Sequence, residues 1–116
     1  MIHVKQAYER AEAGDGCRVL VERLWPRGVT KEKAALDLWL KEAAPSPELR
    51  TWFGHDPKKW EEFRRRYGRV LAEHREGITR LRELVSKGDV TLVYGARDAE
   101  HNAAVALKEM LGRGRG

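Results

Sequence analysis

The run Val-Thr-Leu-Val-Tyr at residues 90–94 places the tightest constraint on the fold of this chain. It is an almost continuous apolar stretch, which is the pattern of a parallel strand that is covered on both faces. Parallel neighbours need long crossover connections, and helices usually supply them. We therefore expect an α/β fold with this strand near the centre of the sheet.

A second apolar run lies in the predicted strand Cys17–Leu24. The helical segments between it and residues 90–94 are long enough for a right-handed crossover, so we predict that the two strands are parallel neighbours. Ile2 and Val4 alternate with polar residues and indicate a short first strand. The link from it to Cys17 is too short for a helical crossover, so the first two strands are either antiparallel neighbours or not adjacent.

Helices are predicted from capping residues and from apolar side chains spaced by three and four positions. Within the longest one, Gly77 is the expected kink or break, and His74 is expected in the core. The predicted helices are Lys31–Ala43 capped by Thr30, Pro47–Phe53 capped by Ser46, the long helix that opens at Asp56-Pro57 and stops at Lys87-Gly88, and Ala99–Leu111 capped by Asp98.

These elements predict a small α/β domain of two or three layers, with a short, mostly parallel sheet of about three strands flanked by helices. A chain of 116 residues has room for one such domain, which we place at residues 1–112, with a disordered tail at 113–116. No apolar run approaches the roughly 20 residues that span a bilayer, and no secretory signal is seen. The single cysteine, Cys17, favours a reducing cytoplasm and excludes metal binding by thiolate pairs.

The net charge of +5 suggests anionic partners, but much of it is spread over predicted helix faces. Arg64, Arg65 and Arg66 are expected to pair with nearby glutamates, so the charge is a weak indication of nucleic-acid binding. Gln6 and Asn102 are the only side-chain amides, which is a bias of thermophile proteins, although a GC-rich genome explains the arginines equally well.

Charged residues follow both apolar strands, and ligands of open α/β sheets bind beyond the carboxyl ends of strands. Glu22, Arg23, Trp25 and Arg27 follow the first run. Arg23 or Arg27 could grip a phosphate or carboxylate through a bidentate contact. The alternative is a structural Glu-Arg pair that closes the edge of the sheet.

The second strand end carries Tyr94, Arg97, Asp98, His101 and Asn102. Backbone N–H groups after Asp98 form a candidate cradle for an anion, although the Asp98 carboxylate competes for them, in which case the anion sits on arginine alone. His101 could act as a general acid or base, or it could be a surface residue.

An aromatic segment between two predicted helices supplies two further candidates, Trp52 and His55. The aromatic rings could stack on a ligand ring, but their helical spacing also fits a core position. His55 is expected on a loop, where packing gives no reason for a histidine.

The segment Val21–Gly28 resembles the domain of unknown function family 488, in its short YeaO-like branch. The resemblance continues through Trp39–Glu42 with Ala44–Ser46, Trp52–Pro57, Trp60–Tyr67 and Tyr94–Asn102. The resemblance covers nearly the whole chain and implies no established activity. The family usually has Asp where this chain has Glu22, which lengthens the reach of the carboxylate. More distant members carry Cys-His-Arg at the start of the last helix, and because only His101 matches here, the resemblance implies no thiol nucleophile.

Together these features predict a strand-end pocket for an anionic small molecule, a nucleotide or a phosphate ester, with hydrolase or transferase activity as one possibility. The alternatives are a non-catalytic module that binds nucleic acid or protein, and a network that serves stability only. No cofactor or metal motif is present, and the oligomeric state stays open. The predicted catalytic residues are Glu22, Arg23 and His101, and the predicted substrate-binding residues are Trp25, Arg27, Trp52, His55, Tyr94, Arg97, Asp98 and Asn102.

Overall fold

The structure, a computed structural model, describes residues 1–113 as four strands and five α-helices joined by short 3₁₀ turns. The predicted tail at 113–116 lies outside these residues except for residue 113, which ends the last helix. No helix in the described part of the chain is both long enough and apolar enough to cross a membrane. The elements are β1 (Ile2–Gln6), β2 (Cys17–Leu20), α1 (Lys31–Ala34), β3 (Leu38–Trp39), α2 (Pro47–Phe53), α3 (Trp60–Glu73), α4 (Glu76–Lys87), β4 (Val90–Tyr94) and α5 (Ala103–Arg113).

The four strands form one parallel sheet in the order β1-β4-β2-β3. Val19 of β2 lies opposite Leu92 of β4, which confirms that these two strands are parallel neighbours. β1 pairs with the other side of β4, so the first two strands are not adjacent. The sheet therefore has four strands, where the sequence predicted about three.

Alternation along β2 and β4 divides the core into two parts. Val19 and Leu92 point into the larger part, which α2, α3, α4 and α5 cover. Leu20 and Val93 point into a smaller part, which α1 and the irregular segment before it cover. The domain thus has three layers, and one of its outer layers is mostly loop.

The predicted helix Lys31–Ala43 is wrong beyond its first turn. Thr30 caps α1 as expected by accepting a hydrogen bond from the Lys33 amide, but Ala35 has a left-handed conformation that ends the helix. The chain then pairs with β2 as the edge strand β3. Its apolar residues alternate between the two parts of the core, with Leu38 in the larger part and Trp39 in the smaller. Side chains that alternate between two faces are typical of a strand and not of a helix.

The predicted long helix is two helices, α3 and α4, and the break lies at His74 and Arg75. His74 is exposed and not in the core. Gly77 lies inside the first turn of α4, and a Cβ there would come within 2.6 Å of the Ala43 backbone. The glycine therefore permits close packing and does not mark the break.

Two strand and helix ends differ from the prediction and shape the site. β2 ends at Leu20 and not at Leu24, although the Val21 amide still donates to the Val93 carbonyl of β4 at 3.1 Å. The last helix begins at Ala103 and not at Ala99. Asn102 caps it by accepting a hydrogen bond from the Val105 amide at 3.0 Å, so Asp98 does not have that role. Irregular chain consequently follows both central strands on the same edge of the sheet.

Candidate functional site

A pocket of about 270 Å³ lies beyond the carboxyl ends of β2 and β4, at the edge where the sequence predicted a site. Irregular chain from both strand ends meets α2, α3 and the start of α5 there. Its lining combines charged side chains with aromatic rings and prolines. The lining residues are Tyr8, Glu22, Leu24, Trp25, Pro26, Arg27, Pro45, Arg50, Phe53, His55, Phe63, Gly95, Ala96, Asn102 and Ala103.

Residues 22–29, which we term the pocket loop, have no regular secondary structure but are held by three side chains. The Trp39 indole Nε1 donates to the Glu22 carbonyl at 2.6 Å, and the Trp25 Nε1 donates to the Val29 carbonyl at 2.6 Å. The Tyr8 hydroxyl donates to the Arg27 carbonyl at 2.7 Å. These bonds satisfy backbone groups that a strand would otherwise pair, and they fix the loop in one shape.

Glu22 is the acid of this pocket, and its side chain is half-buried. Burial raises its pKa above the ordinary 4.5, and the Arg50 charge and the Gly95 amide offset only part of this rise. A carboxyl group with these surroundings is costly to ionise, because burial removes water that would solvate its charge. It therefore favours any ligand that brings hydrogen-bond donors to it.

The aromatic wall of the pocket comes from α2 and α3. Phe53 and Phe63 stack with their ring centroids 4.3 Å apart. α2 forms as the sequence predicts, with the Ser46 hydroxyl accepting from the Leu49 amide and Gly54 in a left-handed conformation after its end. His55 follows with a φ of 57°, which turns the chain back to the pocket.

Five of the predicted site residues line the pocket: Glu22, Trp25, Arg27, His55 and Asn102. Asn102 is buried, and both ends of its amide are bonded within the chain, since Nδ2 donates to the Asp98 carbonyl and Oδ1 caps α5. Its amide therefore chiefly holds the wall of the pocket in place.

The prediction that Arg23 shares this cavity is wrong. Arg23 is not among the lining residues, and its Nε atom donates at 3.0 Å to the carbonyl of Pro45, which is one of them. Trp52 is also outside the lining, and its ring is flanked by the Arg66 guanidinium at 4.2 Å and by the Lys59 ammonium at 5.1 Å.

The second strand end contributes less to the pocket than its sequence suggested. Tyr94 is buried in the main core, and Arg97 is exposed outside the lining. Asp98 accepts from the amides of Glu100 and His101 at 2.9 and 3.1 Å, so the expected anion cradle is already filled. The His101 Nδ1 atom lies 2.8 Å from the Asp98 carboxylate, and its ring packs edge-on against Trp60.

Comparison with known proteins identifies the family of the chain. Residues 1–114 match the family model described as the "Inactive DUF488-N3 subclade". The chain belongs to the DUF488 family. It is 42% identical over 110 residues to the uncharacterized protein YeaO of Escherichia coli (strain K12), a match that covers 95% of this chain and 96% of the relative. It is 36% identical to the uncharacterized protein Rv3073c of Mycobacterium tuberculosis, with 95% and 92% covered. No solved structure matches the chain.

In this DUF488 protein, three of the motifs that carry the resemblance supply most of the pocket. Residues 21–28 contribute five lining residues, while residues 52–57 and 94–102 contribute Phe53 and His55, and Gly95, Ala96 and Asn102. The segments that identify the family are therefore also those that build the strand-end pocket. The Glu22 carboxylate lies next to Gly95, where a Cβ would come within 3.6 Å of its Oε2 atom.

Two polar lining residues, Arg50 and Tyr8, were missed by the sequence interpretation. Arg50 lies three residues before Phe53 on α2, and this spacing places both on one face of the helix. That spacing was the available signal. Tyr8 follows β1, and because the pairing of β1 was open, nothing in the sequence placed it near the pocket loop.

A larger cavity, of about 750 Å³, lies elsewhere and contains none of the predicted site residues. It runs along the start of β1 between α4 and α5, and its lining reaches Gly112 next to the undescribed end of the chain. Its described lining contains no acid and is mostly apolar. The smaller strand-end pocket is therefore the better candidate for a specific site.

Proposed function

We propose that the protein binds a small organic anion, of the nucleotide or phosphate-ester class, in the strand-end pocket without converting it. The observation that carries the proposal is a pair of arginines, Arg27 and Arg50, beside the aromatic wall of a concave site. A guanidinium group binds phosphate or carboxylate through two parallel hydrogen bonds. The rings of Phe53 and Phe63 offer an apolar surface to the rest of such a ligand.

Arg50 replaces Arg23 in this proposal. The sequence suggested Arg23 or Arg27 as the anion clamp, with the amides after Asp98 as a cradle. Arg23 bonds the Pro45 carbonyl, and the Asp98 carboxylate already accepts from the amides that follow it. We therefore assign the anion clamp to the side chains of Arg27 and Arg50, without a backbone cradle.

Binding without turnover is supported by the composition of the lining. Among the described lining residues there is no Cys, Ser, Thr or Lys to serve as a common nucleophile. The single thiol, Cys17, lies at the opposite end of β2, and burial raises its pKa. The description of the matched family as an inactive subclade favours the same conclusion.

A hydrolase or transferase activity is the second candidate, and Glu22 favours it. A half-buried carboxyl group with a raised pKa in a cleft has the character of a general acid or base. His55 could serve as its partner from the loop after α2. Formation of product from a bound phosphate ester would favour this candidate over simple binding.

The nucleic-acid alternative has less support. Arg64 pairs with Glu61 and Glu109, while Arg65 and Arg66 both pair with Glu62. These cations are therefore neutralised by neighbours on the surface and do not form a free basic stripe. We also propose the cytoplasm as the location, on the basis of the single unpaired thiol.

The test is a set of calorimetric titrations of mononucleotides, ribose 5-phosphate and inorganic phosphate. We expect binding by the wild type, and a tenfold or greater loss of affinity in both Arg27→Ala and Arg50→Ala. Arg23→Ala is the matched control, because it removes an arginine from the same segment but not from the pocket, and it should bind as the wild type does. Absence of binding in the wild type, or equal losses in all three variants, would overturn the proposal.

A further inference from the structure

The strand-end pocket contains charges of both signs, and this limits what can bind there. Arg27 and Arg50 are exposed at its rim, whereas Glu22 is half-buried beside Gly95. An inorganic anion that filled the pocket would be repelled by the Glu22 carboxylate. A complementary ligand therefore carries both an anionic group and hydrogen-bond donors.

We propose that the pocket selects a guanine mononucleotide, whose base donates two hydrogen bonds to Glu22 while its phosphate is held by Arg27 and Arg50. This inference rests on the proposed function and names its ligand more narrowly. An ionised carboxylate only accepts hydrogen bonds, and it can accept two at once. Of the common bases, guanine alone presents two adjacent N–H donors, at N1 and N2. Adenine and cytosine place a donor beside an acceptor, which an ionised Glu22 cannot match.

The size of the pocket supports a single nucleotide. Ligand sites commonly measure about 300 to 1,000 Å³, so a site of about 270 Å³ is at the small end. It has room for a base with part of its sugar, and the phosphate would lie at the exposed rim near the arginines.

Gly95 leaves space for the base beside the carboxylate. A Cβ at this position would lie 3.6 Å from the Glu22 Oε2 atom and 3.6 Å from the Pro26 ring, which is ordinary contact. An alanine is therefore tolerated by the protein alone, but its methyl group occupies the space next to the acceptor. The Gly95→Ala variant thus tests occupancy of this edge without disturbing the fold.

The experiment compares GMP, AMP and ribose 5-phosphate by calorimetry in the wild type, Glu22→Gln and Gly95→Ala. In the wild type, GMP should bind at least tenfold more tightly than AMP. Glu22→Gln replaces a group that only accepts hydrogen bonds with one that has a donor and an acceptor. The affinity of this variant for GMP should therefore fall tenfold or more, and its preference for GMP over AMP should disappear. Gly95→Ala should reduce the affinity for GMP more than the affinity for ribose 5-phosphate, which has no base.

Each failure has its own signature. No binding of any of these compounds would remove the proposed function. Equal affinities for GMP and AMP in the wild type, with both lost in Arg27→Ala, would overturn the guanine inference alone. If Glu22→Gln does not fold, as judged by its thermal transition, Glu22→Asp keeps the acceptor on a shorter side chain. Glu22→Asp should then retain the preference for GMP, and a loss of that preference would contradict the inference.

Discussion

Charged side chains lie at both ends of the central strands β2 and β4. The two ends differ in how many of these charges have a partner within the protein. Near the amino ends of β2 and β4, Asp15 accepts from Arg18 at 2.6 Å and from Lys5 at 3.0 Å. The Arg18 guanidinium also donates twice to the Ala34 carbonyl, and Thr91 donates to the Asp15 carbonyl at 2.7 Å. We call these residues, with Glu12, the ionic cluster. Every charge in it has a partner from the chain itself.

The strand-end pocket, at the other end of the same strands, is arranged differently. The Arg50 charge and the Gly95 amide both lower the pKa of Glu22. In the described part of the chain, however, Glu22 forms no ion pair. The two carboxyl groups respond in opposite ways. Burial alone would raise the pKa of Asp15, but the Glu12 amide, Lys5 and Arg18 together lower it. A carboxyl group whose pKa the fold lowers adds to stability when it is ionised, whereas one whose pKa the fold raises is a candidate for interaction with a ligand.

The largest expected effect comes from glycine substitution at the two ends. Gly16 precedes β2 with a φ of 65°, and a Cβ there would come within 2.3 Å of the Asp89 carbonyl oxygen. Gly16→Ala should cost about 4 kcal/mol, from backbone strain and the clash together. Gly95→Ala should change stability by less than about 1 kcal/mol. Urea unfolding measures both, and equal costs would contradict the contrast between the two ends.

Neutralising an acid of the ionic cluster should have the next largest effect. Asp15→Asn leaves the cations Lys5 and Arg18 without the anion that they share, so we expect a loss of about 2 kcal/mol in urea unfolding. Glu12→Gln is the control, because the Glu12 side chain is 71% exposed, and it should cost less than about 0.5 kcal/mol. A loss below 0.5 kcal/mol for Asp15→Asn as well would show that the cluster does not stabilise the fold.

The smallest effect concerns the pH dependence of stability. The pKa of Asp15 is lowered from 3.8, so its contribution is present above pH 3.8 and is lost as the pH falls through the lower folded value. The pKa of Glu22 is raised from 4.5, so its contribution is present below pH 4.5 and is lost as the pH rises through the higher folded value.

Glu22→Gln should therefore gain stability relative to the wild type between pH 4.5 and 7, by less than about 1 kcal/mol. Thermal melting of both proteins across this range measures the difference. If Glu22→Gln instead loses stability relative to the wild type as the pH rises, the fold itself stabilises the ionised Glu22, as it does Asp15.

The sequence predicted the parallel pairing of β2 and β4 because their apolar runs report burial on both faces. It missed β3, since Leu36, Trp39 and Leu40 fit a helical stripe as well as an edge strand. The left-handed conformation of Ala35, which local sequence does not signal, ends the helix and lets the following residues pair as a strand. The helix break at His74 was missed for a related reason, because Gly77 was interpreted as a breaker when it is a packing contact.

The position of the candidate site could be predicted from the sequence, but the residues that line it could be predicted only in part. Glu22, Trp25 and Arg27 follow a strand end, and parallel topology places such residues at one edge. Arg23 and His101 carry equally suggestive chemistry in the sequence. Their hydrogen bonds to Pro45 and Asp98 depend on tertiary contacts and on the true start of α5, which spacing along the chain does not report.

The most direct test of the central claim is an NMR titration of the ¹⁵N-labelled protein with GMP. The account predicts that amide signals of Gly95, Ala96 and the pocket loop shift in a saturable way, while those of Asp15 and Arg18 in the ionic cluster stay in place. Arg27→Ala should abolish the shifts at the same GMP concentration, and Arg23→Ala should not. Shifts confined to the ionic cluster, or no shifts at saturating GMP, would contradict the assignment of the strand-end pocket as the binding site.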